Sequence, residues 1–127
     1  MLKKTIKYTD YNGNEREEDF YFNLTKAECY ELQLSTEGGL EAMANRMIQA
    51  QNGEEIVRTF KDIVLMAYGE KSPDGRRFIK GDRLPDKLYG EVALAFSETP
   101  AYDQLFSELI TSDETMADFI NGIVPQS

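Results

Sequence analysis

The chain has 127 residues, 41% hydrophobic and 29% charged, with a formal net charge of −9; that length supports one domain with a real core, the recurrence of apolar residues argues against disorder, and the acidity repels nucleic-acid phosphates. No apolar run reaches the ~18 residues of a membrane span, and the basic start "MLKKTIKYTD" has no apolar stretch behind it. A lone cysteine, Cys29, cannot close an internal disulfide, so the expectation is a single domain, 1–127, of a reducing cytoplasm, without nucleic-acid or membrane partners.

Residues 2–22 read as a β-hairpin. Ile6 and Tyr8 alternate with Thr5, Lys7 and Thr9, and "REEDFYF" follows a turn at "DYNGN". A two-residue Asn12-Gly13 loop would set Ile6 opposite Asp19 and Tyr8 opposite Glu17, whereas an odd loop puts both on the face of Phe20 and Phe22. The odd loop is expected, with Asp10 opening a type I turn and a left-handed Gly13 following it. Helices then occupy about 25–69. Thr25 and Glu28 have capping-box spacing, so a helix starts near Lys26 and stops before "STEGG". Leu40, Met43, Ala44, Met47 and Ile48 line one face of a second helix that ends near Asn52-Gly53. Ile56, Phe60, Ile63, Val64 and Ala67 do the same for a third, with Gly69 placed to cap its C-terminus.

The stretch "AYGEKSPDGRRFIKGD" invites a phosphate-loop reading, but its glycines are not followed by Lys-Ser/Thr and it leaves a helix instead of opening one. Ser72-Pro73-Asp74-Gly75 suits a type I turn, so 70–81 reads as a turn connector anchored by Phe78 and Ile79. C-terminal helices fill about 84–122. "DKLYGEVALAF" reads as a helix weakened by Gly90, and Thr99-Pro100 supplies an N-cap and a first-turn proline. Tyr102, Leu105, Phe106, Leu109 and Ile110 follow at helical spacing, then Thr111 and Glu114 form a second capping box before Met116, Phe119 and Ile120. The expected fold class is mainly α (α+β): an N-terminal β-hairpin followed by a compact bundle of five to six short helices.

A chain without histidine lacks the commonest general base and transition-metal ligand, and no Gly-x-Ser-x-Gly or Ser-x-x-Lys motif is present. In "DYNGNEREEDF" Asp10, Asn12 and Asn14 alternate as in a calcium loop, yet the sixth position is Glu15 and the twelfth Tyr21, where glycine and a bidentate Glu are needed. Cys29 suits a small packed side chain. No enzymatic activity, cofactor or metal is expected. Lys71, Arg76, Arg77, Lys80, Arg83 and Lys87 crowd one short segment of an acidic chain; they either face acidic helices of the same fold or form a docking patch for an acidic partner, with Arg76, Arg77 and Lys80 as candidates. Met43, Met47 and Met66 either adapt to an apolar partner or are ordinary core, which the 40, 43, 44, 47, 48 pattern equally describes.

The strings "AYGEKSPDGRRFIK", "FSETPAYDQLFSEL" and "FINGIVP", supported by "YFNLTKAE", resemble the tail assembly chaperones of long-tailed siphophages and related prophages. The resemblance spans nearly the whole chain, and "GDRLPDKLYGEVAL" follows the family pattern least. It implies a mostly helical, non-enzymatic protein of the host cytoplasm that binds the tape measure protein, keeps it soluble and helps recruit tail tube protein. A longer frameshifted product and absence from the mature virion are further implications; self-association is expected separately, since one small domain covers little of an elongated client. Two other classes stand beside it: a structural head–tail joining or tail component, and a small acidic adaptor without a phage role.

Overall fold

The computed structural model describes residues 1–125. Strands β1 (Leu2–Thr9) and β2 (Glu15–Phe22) pair antiparallel with Leu2 opposite Phe22, Ile6 opposite Glu18 and Thr9 opposite Glu15. The loop is therefore odd, and Ile6, Tyr8, Phe20 and Phe22 share one face. Asp10 builds the turn: one carboxylate oxygen accepts the N–H groups of Asn12 and Asn14, both at 2.9 Å, and the other accepts Arg16 Nε at 2.6 Å. Those bonds, Arg16 first, hold the Asp10 carboxyl below the usual carboxylate range. Gly13 sits at φ +85°, where a side chain would be strained.

Helix α1 (Lys26–Ser35) opens on the Thr25–Glu28 capping box, with both reciprocal bonds formed. Helix α2 (Gly39–Gln49) buries Met43 and Met47, while Ile48 is exposed. It stops short of the expected end, because Asn52 instead caps the N-terminus of α3 (Gly53–Ala67) by accepting the Glu54 N–H at 2.8 Å. Helix α3 is the central element, burying Phe60 and the whole run from Ile63 to Ala67.

Gly69 does not cap that helix. It lies in strand β3 (Tyr68–Lys71), opposite Tyr21, with the Phe78 ring so close that a Cβ would stand 2.6 Å from it. The expected connector is in fact a second hairpin: β3 pairs antiparallel with β4 (Phe78–Ile79), giving a four-stranded sheet in the order β1-β2-β3-β4. The turn at 72–75 joins them, closed by the Gly75 N–H on the Ser72 carbonyl at 2.9 Å, with Gly75 at φ +74°.

Residues 82–90 form no helix, a second correction. Arg83 bridges Gly90, the Leu84 N–H donates to the Tyr89 carbonyl at 3.0 Å, and Asp86 takes a left-handed conformation between them. Proline at 85 disfavours helical backbone at Leu84. Gly90 permits an approach no other residue would: its absent Cβ would lie 2.5 Å from the Lys80 carbonyl oxygen. The last three helices are α4 (Glu91–Ser97), α5 (Pro100–Leu109) and α6 (Asp113–Ile123). Thr99 stands at the N-cap of α5, but its hydroxyl turns back to the Phe96 carbonyl. The cap of α6 is Ser112, which accepts the Thr115 N–H, one residue later than the Thr111–Glu114 reading.

The buried side chains form one cluster under the apolar sheet face. Tyr68 stacks on Phe96 with ring centroids 4.2 Å apart, and Phe22 meets both Phe96 and Phe119 edge-on. Helix α5 packs against β1, where Lys4 reaches Glu108 at 2.5 Å. Gly75 and Gly90 differ in kind. Gly75→Ala meets open space and costs only backbone strain, ~1 kcal/mol, whereas Gly90→Ala drives a methyl into carbonyl oxygens and costs ~2–3 kcal/mol. Chemical denaturation of the two variants checks the ranking.

Candidate functional site

Lys80, just beyond β4, has all three ammonium protons engaged. Its Nζ donates to the Asn23 carbonyl at 2.9 Å, the Met66 carbonyl at 2.9 Å and Glu28 Oε2 at 2.7 Å. Glu28 divides its carboxylate, since Oε1 accepts the Thr25 N–H of the capping box at 2.9 Å. The Met66 carbonyl belongs to the last turn of α3, where the helix supplies no donor, and a cation there also meets the negative end of the helix dipole. The neighbouring Ala67 carbonyl accepts the Asn23 N–H at 2.8 Å, and the Leu24 N–H goes to Ile123 at the end of α6, also 2.8 Å. The β2–α1 junction is thereby tied to three elements at once.

Beside this hub a cleft of about 240 Å³ opens between α1 and the 81–90 segment. Leu32, Leu65, Met66 and Tyr89 give it an apolar floor, and Glu31 and Arg83 stand exposed on its rim. Arg83 Nε donates to the Lys87 carbonyl at 2.6 Å. Neither the Arg83 terminal nitrogens nor the Glu31 carboxylate has an ion-pair partner among the described residues.

The structure brings Met66 and Lys80 together at this cleft. Met43 and Met47 lie in the core on the inner face of α2, only 3% and 6% exposed. Arg76 and Arg77 project from the β3–β4 turn, exposed and without an ion pair among the described residues. The turn beneath them is rigid: the Asp74 carboxylate accepts the Ser72 hydroxyl at 2.7 Å and the Arg76 N–H at 3.1 Å, which lowers its pKa. Lys71 lies over the Tyr21 ring, 4.1 Å from its centroid. Of the three basic candidates, Lys80 is thus spent inside the fold while Arg76 and Arg77 are offered outward. The sequence reading meets Arg83 only as one of a basic cluster, and Glu31 and Tyr89 not at all, because a helix across 84–90 gives the three no shared cavity; Leu84-Pro85 is the available signal against that helix.

Burial raises the Cys29 thiol pKa above its ordinary value, opposite to what a nucleophile needs, and pushes the Tyr68 and Tyr102 hydroxyls up to about 12. Among the described residues no cluster of His, Cys, Asp or Glu could hold a metal ion, and no helix is long and apolar enough to cross a membrane.

Two exposed arginines on a turn and a third on the rim of an open cleft with an apolar floor, on an otherwise acidic α+β fold, are features suited to contact with another macromolecule. The chain matches the model of the phage tail assembly chaperone family over residues 1–127, and it belongs to that family. Membership implies interaction with tail proteins. No curated protein and no solved structure matches it.

Two substitutions probe the site's energetics. Lys80→Met strands two carbonyls and a part-buried carboxylate and is expected to cost about 2 kcal/mol, with Glu28→Gln milder because its amide oxygen still completes the cap; thermal melts of both rank them. Asp62, half-buried on α3, has its pKa raised by burial, partly offset by Lys87, Arg58 and Lys61. A raised carboxyl pKa means the folded state binds the proton more readily, so this group's penalty is greatest above the folded pKa and fades as pH falls through it towards the unfolded value. Asp62→Asn should therefore raise Tm at pH 7 and lose that advantage in acid; an advantage that persists unchanged in acid would contradict the assignment.

Proposed function

We propose that this chain binds the tape measure protein in the host cytoplasm during tail assembly, keeps it soluble and helps recruit tail tube subunits, without catalysis and without remaining in the finished virion. The family match along the whole chain carries this reading; it leaves the adaptor without a phage role unsupported. The geometry suggests where the client meets the chain. Arg76 and Arg77 offer charge that the fold does not use, and Met66 meets a client through the cleft. Met43 and Met47 would do so only if α2 lifted from the core. The acidic remainder of the surface keeps a loaded complex soluble.

An elongated helical client extends ~1.5 Å per residue, so a domain of this size covers a small part of it. Several copies, each weakly bound and helped by self-association, would hold it through avidity. Co-expression with the tape measure protein should raise that protein's soluble yield and give, by light scattering, more than one copy of this chain per client. Arg76→Glu with Arg77→Glu should lower the copy number without lowering Tm. A tape measure protein equally soluble alone, or this chain in stoichiometric amounts in infectious particles, would favour a structural tail component instead.

A further inference from the structure

We infer that the cleft between α1 and the 81–90 segment is the seat for one large apolar side chain of a partner's amphipathic helix, with an acidic residue one turn from that anchor paired to Arg83. The inference rests on the client-binding reading above and names what the client must present.

The volume comes first. About 240 Å³ exceeds the ~150 Å³ in which an apolar cavity can hold benzene, and so is ample for a Leu or Phe side chain. The floor is apolar and made from elements that cannot yield: Leu32 and Leu65 are core residues, and Tyr89 is held by the Arg83–Gly90 bridge and the Leu84–Tyr89 hydrogen bond. The Lys80–Glu28 pair forms one wall but offers a ligand no donor, because its three protons are already placed.

Arg83 then gives the occupant a charge to meet. Arg83 fixes its guanidinium through Nε on the Lys87 carbonyl, leaving the terminal nitrogens for a carboxylate. Glu31 and Arg83 both border the cleft and lack ion-pair partners among the described residues. The N–H groups of Leu84 and Glu91 already donate to the Tyr89 and Asp82 carbonyls, so the segment pairs with itself and presents no regular strand edge to the cleft. A helix delivering side chains from its face is the mode that fits. Its anchor and acid must stand three or four residues apart to reach floor and rim together.

The test is a titration of the ¹⁵N-labelled full chain with an alanine-based helical peptide carrying one Leu and a Glu four positions later. Amide shifts confined to the cleft, at Leu32, Ser35, Gly81 and Tyr89, and saturating in the millimolar range, are expected. Replacing the peptide's Leu with Ala should weaken binding about tenfold or more. Arg83→Glu should reverse the preference, favouring a peptide with Lys in place of Glu. Ser35→Phe, which fills the cleft from its exposed wall, should abolish the shifts while leaving Tm unchanged; should it fail to fold, the Arg83 reversal decides. Absence of cleft shifts at several millimolar, equal shifts from the Leu and Ala peptides, or shifts centred on another surface would overturn the assignment. If the peptide binds but the tape measure protein gains no solubility, the client reading fails and the cleft stands. If the client is solubilised equally by the Ser35→Phe and Arg83→Glu variants, and the peptide leaves the cleft undisturbed, the reverse holds.

Discussion

One ammonium group organises this molecule. Lys80 answers a problem that three elements share: a helix C-terminus with an unpaired carbonyl, a helix N-terminus whose capping glutamate has an oxygen to spare, and a strand exit whose carbonyl has left the sheet. A cation held by one carboxylate and two carbonyls resists the cost of partial burial better than a bare ion pair, because every proton has an acceptor. The β3–β4 hairpin therefore serves as an arm that brings Lys80 under the β2–α1 junction, and its outward turn is the by-product that displays Arg76 and Arg77.

The charge layout follows from the same economy. On the polar face of the first hairpin charges meet across the strands, with Lys7 3.5 Å from Glu17 and the Thr5 hydroxyl on Asp19. From Leu88 to Pro125 the chain holds acidic residues and no basic ones, so the helical side projects a negative field. A family member that must attend tail proteins without precipitating gains from such a surface, since like-charged complexes stay apart until specific contacts form.

Much of the local, self-contained chemistry was legible in the sequence. The Thr25–Glu28 box, the odd loop around Asp10 and the left-handed Gly13 each depend on a few neighbouring residues, and the structure has them in place. The Thr111–Glu114 misreading was a slip of one residue, its cap lying at Ser112; the larger failures were non-local. Gly69 looks like a helix cap until Phe78 is seen to need its missing side chain, and Gly90 looks like a helix flaw until the Lys80 carbonyl is found where its Cβ would be. Both are close approaches between segments that sequence spacing does not relate. Lys80 itself was readable only as a positive charge near other positive charges; the three acceptors that claim it come from residues 23, 28 and 66. The cleft was invisible for the same reason, being a property of two segments and belonging to neither.

The hydrogen bond from Leu24 to Ile123 bears on how the chain matures at the ribosome. Synthesis delivers the first hairpin and α1 long before α6 exists, and β1 waits for α5 to cover its apolar face. Until the last helix emerges, Phe22 lacks its contact with Phe119 and the junction lacks one of its three ties. Closure is thus vectorial: the nascent chain exposes part of its own apolar sheet until the final turn of α6 emerges and seals it.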